Sequence, residues 1–193
     1  AVAVLQDGGW TATDWGLGPQ SADDRATPPT NLKGPNGEVA PENMLLYAPG
    51  AGYDPLRATF SLYIADWMQQ LGFDAVAQPT NFSVIVDKVF TPENCNDWYF
   101  YMLGWGLSAY PDHPVDFFAS KYDTCEGGYN TPGFNNAEYD ALADQFGQAK
   151  TVSDAVGIMN QMEAILYEEM PYLVLFTTPI LEAYAGAEYP FTD

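Results

Sequence analysis

The chain reads as an α/β domain, a mixed sheet flanked by helices. Three observations predict it. Apolar runs of strand length alternate with longer segments whose apolar residues recur every three or four positions. The links between most of these segments are short. Finally, 47% of the 193 residues are hydrophobic, with 5 Trp, 13 Tyr and 11 Phe, which is ample apolar surface for a core. A chain of this length buries roughly 70% of its unfolded surface, so one compact unit, residues 1–193, is expected.

The opening run AVAVLQDGGW (1–10) reads as the last turns of a helix ending at Gly8 or Gly9. Nothing before it supplies a helix start, so the chain is expected to be an excised piece of a longer protein. Residues 11–43 are rich in Gly, Pro, Ser, Thr, Asp and Asn and read as a long irregular segment. MLLYA (44–48) reads as a buried strand. The clearest helix follows. Asp54 suits the N-cap and Pro55 the first helical position, and Gly72 closes it. Leu56, Phe60, Ile64, Trp67, Met68 and Leu71 form its expected buried stripe. FDAVAQPT (73–80) is the next strand, completing a βαβ unit.

A short helix is expected from Asn81 or Ser83 to about Phe90, with Phe82, Ile85, Val86, Val89 and Phe90 on one face. WYFYMLGW (98–105), apolar on both faces, predicts a central strand, and SAYPDHPVDFF (108–118) a turn-rich exit from it. GGYNTPGFNN (127–136) is loop. Asn136 caps a helix over about 137–149 that buries Tyr139, Leu142, Ala143 and Phe146. Thr151 or Ser153 starts another to about 169, with Val156, Met159, Met162, Ile165, Leu166 and Met170 on its apolar face and Pro171 as its stop. YLVLFTT (172–178) reads as a strand, with a shorter segment around Leu181–Ala185 after it.

The charge removes whole classes of function. Against 26 Asp and Glu stand 6 Lys and Arg, a net charge of -20. Nucleic acid and anionic membrane surfaces both demand a basic footprint that this chain lacks. No run of roughly 20 apolar residues is present to span a bilayer. The acidity fits an extracellular protein or a salt-adapted organism, and both remain open. Cys95 and Cys125 sit in polar, loop-like contexts. They read as one disulfide of an exported protein or as two free thiols; the first needs Cα atoms within about 7 Å.

Catalytic constellations are missing. One histidine (His113) and two cysteines without ligand spacing predict no metal site. Neither a GxSxG elbow nor a phosphate-cradling GxxxxGK[ST] loop occurs, and the Gly-rich pieces read as turns, so no cofactor and no catalytic residue is expected. A carbohydrate-active enzyme using a carboxylate pair such as Asp112 and Asp116 is the alternative. What remains is aromatic. Trp98, Tyr99 and Tyr101 divide between core and site, whereas Trp105 and Tyr110 lie among Gly and Pro at a strand end, where a ring can stack on a ligand. Open α/β sheets bind ligands beyond strand carboxyl ends, so the exit of the 98–105 strand is the expected site.

Four segments, in order, carry a resemblance: AVAVLQDGGW (1–10), IADWMQQLGFDAVAQPTNF (64–82), DWYFYMLGWGLSAYPDHPVDFF (97–118), and GGYNTPGFNNAEYDALADQF (127–146) followed by EEMPYLVLF (168–176). Taken in sequence, they resemble the C-terminal lobe of extracellular solute-binding proteins of ABC importers, the dipeptide/oligopeptide/nickel-binding class. The resemblance implies one lobe of a two-lobed, type II periplasmic-binding-protein-like fold, and a binder rather than an enzyme. It implies a peptide or small-molecule ligand, an ABC permease in the membrane as partner, and an N-terminal lobe from the same parent chain. A periplasmic or extracellular location follows, with the parent anchored as a lipoprotein. Trp105, Gly106, Leu107, Ser108, Tyr110 and Asp112 are the expected ligand-binding residues, with Trp105 and Tyr110 stacking and Ser108 hydrogen-bonding. One departure stands out. Peptide binders of this class carry an Asp just before the Tyr of their "aDYpdP" run, and here Ala109 precedes Tyr110. The usual anchor for a peptide ammonium is absent unless Asp112 or Asp116 substitutes, which brings oligosaccharides and other neutral solutes into range.

Overall fold

A computed structural model of the chain describes residues 1–13, 15, 29–95, 97–106 and 113–177. Helix α1 (Val2–Asp7) ends at Gly8. Within the segment expected to be irregular, β1 (Thr11–Thr13) and β2 (Thr30–Lys33) pair as an antiparallel ribbon. Then follow β3 (Met44–Pro49), α2 (Pro55–Gln70), β4 (Ala75–Thr80), α3 (Phe82–Phe90) and β5 (Phe100–Tyr101). Three helices complete the described chain: α4 (His113–Phe118), α5 (Ala137–Phe146) and α6 (Val152–Glu169). Among the described residues no helix is long and apolar enough to cross a membrane.

Strands β3, β4 and β5 form a parallel three-stranded sheet in the order β4-β3-β5. The mixed character expected of the sheet is divided between two units, the parallel sheet and the separate antiparallel ribbon. β3 is central and buried on both faces, as a parallel strand covered by crossovers must be. Tyr47 meets Ile85 and Val89 of α3, with Leu45 beside them. The alternate residues Met44, Leu46 and Ala48 face the other way, where α2 crosses β3 and β4.

The helix starts follow their caps. The Asp54 carboxylate accepts from the Arg57 N–H at 2.9 Å. Asn136 accepts from Glu138 and Tyr139 at 3.0 and 3.1 Å, and the Thr151 hydroxyl accepts from Asp154 at 3.1 Å. Gly72, at φ +98, allows the turn after α2 that a side chain would strain.

Packing departs from the expected stripes. On α2 the fully buried residues are Ala58, Ser61 and Ala65, while Leu56 and Trp67 are exposed. The small residues share the same three-and-four spacing and let the helix lie close to the sheet, while Phe60, Ile64, Met68 and Leu71 of the expected stripe are half-buried beside them. On α3, Ile85 and Val89 are buried while Phe82 and Val86 face solvent. On α6, Met159 and Met162 are buried while Val156 and Met170 are exposed. The 98–105 run supplies an edge strand of two residues rather than a central one, because it pairs only with β3. Its exit contains α4. Residues 172–177 enter no ladder, and Leu173 and Val174 are exposed. Leu181–Ala185 lies outside the described residues.

Two apolar clusters result. One joins β3, α3 and β5; the other gathers Phe118, Ala119, Tyr139, Leu142, Ala143 and Met162 from α4, α5 and α6. A triangle of hydroxyls bridges them. Tyr101 of the first contacts Thr131 at 2.5 Å and Tyr172 at 2.8 Å, and Thr131 contacts Tyr172 at 2.9 Å. Tyr172 also packs edge-on against Phe118 of the second cluster. Cys95 and Cys125 are joined by a disulfide, with Cα atoms 5.4 Å apart. The loop it closes contains β5, Trp105 and α4, and so holds the strand exit between two fixed points.

Candidate functional site at the carboxyl ends of the parallel strands

β3 is followed by α2 and then β4 on one side of it, whereas β5 lies on the other. Both strands are parallel, so the loops that follow β3 and β5 leave from the same, carboxyl end of the sheet, where open α/β sheets bind ligands. Two loops meet there, 50–54 after β3 and 102–106 after β5.

Their contact is specific. The Arg57 guanidinium lies where a side chain at Gly104 would have to sit. Arg57 Nη1 donates to Asp54 Oδ2 at 2.6 Å, and both side chains are largely buried, 19% and 17% exposed. A cation in the first turn of a helix opposes the helix dipole. Here the capping carboxylate offsets that cost, and the guanidinium is carried across to the β5 exit. Of its five N–H donors, the structure commits one to Asp54.

Exposed rings adjoin this contact in the chain, Tyr53 beside Asp54 and Trp105 beside Gly104. Tyr53, next to Asp54, stacks on Phe82 at the start of α3, with ring centroids 5.5 Å apart and an interplanar angle of 29°. Both rings are exposed. Trp105 packs one face near Phe117, centroids 4.4 Å apart, and is edged by Phe90 and Tyr129 at 5.7 and 6.2 Å. It remains 37% exposed. Gly106 beside it is open, with no atom near enough to meet an added Cβ. At this candidate rim, Phe82 and Tyr53, Asp54 and Arg57, and Arg57 and Gly104 are thus linked pairwise, and Trp105 follows Gly104 in the chain.

Of the residues expected to bind ligand, Trp105 and Gly106 lie in the segment after β5 and are exposed. Leu107, Ser108, Tyr110 and Asp112 lie outside the described residues, as does Ala109. Trp98 and Tyr101 belong to the core, while Tyr99 is exposed. Burial pushes the Tyr101 hydroxyl far above its ordinary pKa, and the neighbouring Tyr172 adds to the shift. Among the described residues no cluster of His, Cys, Asp or Glu could hold a metal ion. Arg57, Tyr53 and Phe82 escape a reading by sequence. The available signal was Arg57 itself, one of 6 cations in a chain of net charge -20, placed where the dipole disfavours it.

No family model and no curated protein matches the chain. Solved structures do. The oligopeptide-binding protein AppA from Bacillus subtilis, in complex with a nonapeptide, matches over 89% of this chain and 29% of its own, at 21% identity and a TM-score of 0.67. NikZ from Campylobacter jejuni, with Ni(L-His), matches over 88% of this chain and 30% of its own, at 16% identity and a TM-score of 0.65. A periplasmic oligopeptide-binding protein of an ABC transporter from Thermotoga maritima, with mannohexaose bound, covers 88% of this chain and 29% of its own, at 16% identity and a TM-score of 0.62. By its fold, the chain matches part of the type II periplasmic-binding-protein architecture, spanning less than a third of each of these proteins.

Proposed function

We propose that the chain is a ligand-binding lobe of an ABC-importer solute-binding protein, one that captures a small solute or peptide outside the membrane for delivery to a permease. The observation that carries this reading is the meeting of Arg57 with Gly104 beyond the carboxyl ends of β3 and β5, with exposed Tyr53 and Trp105 nearby in the chain. The fold it matches occurs in proteins holding a nonapeptide, Ni(L-His) and mannohexaose, so the reading spans several ligand chemistries. The chain acts as a binder, not an enzyme. Residues 1–193 form a single α/β lobe, and a second lobe of the parent polypeptide closes over the rim. Trp105, Gly106, Leu107, Ser108, Tyr110 and Asp112 line the cleft on this side, joined by Arg57. The disulfide fits a periplasmic or extracellular protein, since such bonds persist in oxidising compartments; the parent is tethered as a lipoprotein.

The test is a thermal-shift and titration screen of the chain with oligopeptides, nickel–amino-acid complexes and oligosaccharides. Ligand bound to the native state raises apparent stability by mass action. A shift with one class, weakened when Trp105 is replaced by Ala, is expected. No response to any of the three classes up to millimolar concentration overturns the proposal.

A further inference from the structure

Resting on that reading, we infer that the rim takes a neutral oligosaccharide, with one pyranose ring on the Tyr53–Phe82 stack, adjacent hydroxyls on the Asp54–Arg57 pair, and a further ring towards Trp105. Three features of the rim converge on this chemistry.

The first is the state of the charges. Asp54 and Arg57 already neutralise each other at 2.6 Å, and Asp54 also accepts from the Arg57 backbone N–H. A charged ligand group would have to compete with that bond in a largely buried setting, where leaving either partner unpaired is costly. A pair of neighbouring hydroxyls demands no such exchange. One donates to a remaining carboxylate lone pair and the other accepts from a remaining guanidinium N–H. The intact pair thus matches a polyol better than it matches an ammonium or a carboxylate.

The second is the form of the aromatic surface. Tyr53 is 68% exposed and Phe82 42% exposed, yet the two rings are stacked rather than splayed. Stacking covers one face of each ring and leaves the outer faces to solvent at the loop after β3 and the first turn of α3, where neither ring fills a core. The axial C–H face of a pyranose lies flat on such a surface, while its rim of hydroxyls stays available to polar neighbours. The polar neighbour in the chain is Asp54, the next residue after Tyr53.

The third is the presence of a second exposed ring. Trp105 follows Gly104, the residue that Arg57 covers, and it is 37% exposed. A ligand that repeats the same ring-and-hydroxyl unit, as a linear oligosaccharide does, can use more than one such ring.

Saturation-transfer NMR of the chain with mannohexaose and cellohexaose, beside an alanine nonapeptide, tests the inference. Glycan ring C–H signals should receive saturation, and Tyr53→Ala and Phe82→Ala should each weaken binding about tenfold, a difference worth one decade in the dissociation constant. Asp54→Ser keeps a good N-cap while removing the carboxylate; it should weaken glycan binding similarly with helicity unchanged. Peptide binding without glycan binding overturns this inference and leaves the solute-binding proposal standing. Glycan binding that is indifferent to Tyr53→Ala and Phe82→Ala also overturns it. Binding of neither probe class overturns the sugar assignment, and the wider screen with nickel complexes then decides the solute-binding proposal separately.

Discussion

The guanidinium of Arg57 fills the space that a side chain at position 104 would need. Gly104 therefore keeps Arg57 over the β5 exit while Asp54 holds it from the other side. Gly104→Ala should push the flexible end of Arg57 away from the rim. Its cost to folding should be about 1–2 kcal/mol, because the guanidinium can swing aside but strains its partly buried bond to Asp54 in doing so. Ligand affinity should fall several-fold. Equal affinity in wild type and Gly104→Ala, measured by titration calorimetry, would show that Arg57 is not part of the site.

Trp105 packs near Phe117 and meets the edges of Phe90 and Tyr129, but keeps an exposed face. Trp105→Ala should lower stability by about 2 kcal/mol, less than for a fully buried Trp. Its effect on ligand affinity should exceed that of Tyr99→Ala, an exposed tyrosine on the same strand run outside the rim. Chemical denaturation gives the first quantity and calorimetry the second. Retention of full affinity by Trp105→Ala would remove the rim as the binding site.

Local signals carried most of the architecture. Asp54, Pro55 and Gly72 mark α2 at both ends because capping is decided by a few neighbouring backbone groups. Asn136 and Thr151 do the same for α5 and α6. What local signals could not convey was which face each helix buries. α2 offers a bulky stripe and a small one at equal spacing, and the choice of Ala58, Ser61 and Ala65 depends on how close the sheet lies. The same limit explains β5. Its apolar residues on both faces indicate burial, but burial at a sheet edge under packed helices looks identical in sequence to burial at the centre. For the candidate site, the exposure of Trp105 and Gly106 after β5 was legible, because Gly and Trp at a strand end mark it locally. Tyr53, Phe82 and Arg57 come together only through the β4-β3-β5 order and were not legible from spacing.

The disulfide closes a loop across a sequence separation of 30 residues. Chain-entropy arguments assign such a closure roughly 3–4 kcal/mol through the unfolded state. Cys95→Ser with Cys125→Ser should therefore lower stability by about that amount. Because β5, Trp105 and α4 all lie inside the closed loop, the loss should also broaden the environment of Trp105. Denaturant unfolding with and without reductant checks the first effect, and near-ultraviolet circular dichroism the second. A reduced protein as stable as the oxidised one would show that the loop is held by packing alone.

The hydroxyl triangle of Tyr101, Thr131 and Tyr172 predicts a pH limit. Burial raises the pKa of Tyr101, and burial together with the nearby Asp140 raises that of Tyr139, whose hydroxyl donates to the Pro114 carbonyl at 2.7 Å. In the unfolded chain both ionise near pH 10. Below that value both states keep the protons, and the hydroxyls contribute their full stabilisation. Above it the unfolded chain loses protons that the native state retains, so stability must fall as pH rises. Alkaline titration followed by tyrosinate absorbance and circular dichroism should show Tyr101 and Tyr139 ionising only as the fold is lost. Tyr101→Phe should cost about 1–2 kcal/mol at neutral pH, since it leaves Thr131 and Tyr172 to each other. The variant should also soften the decline above pH 10, because one of the two groups responsible is gone. Ionisation of every tyrosine before any loss of structure would contradict the buried network.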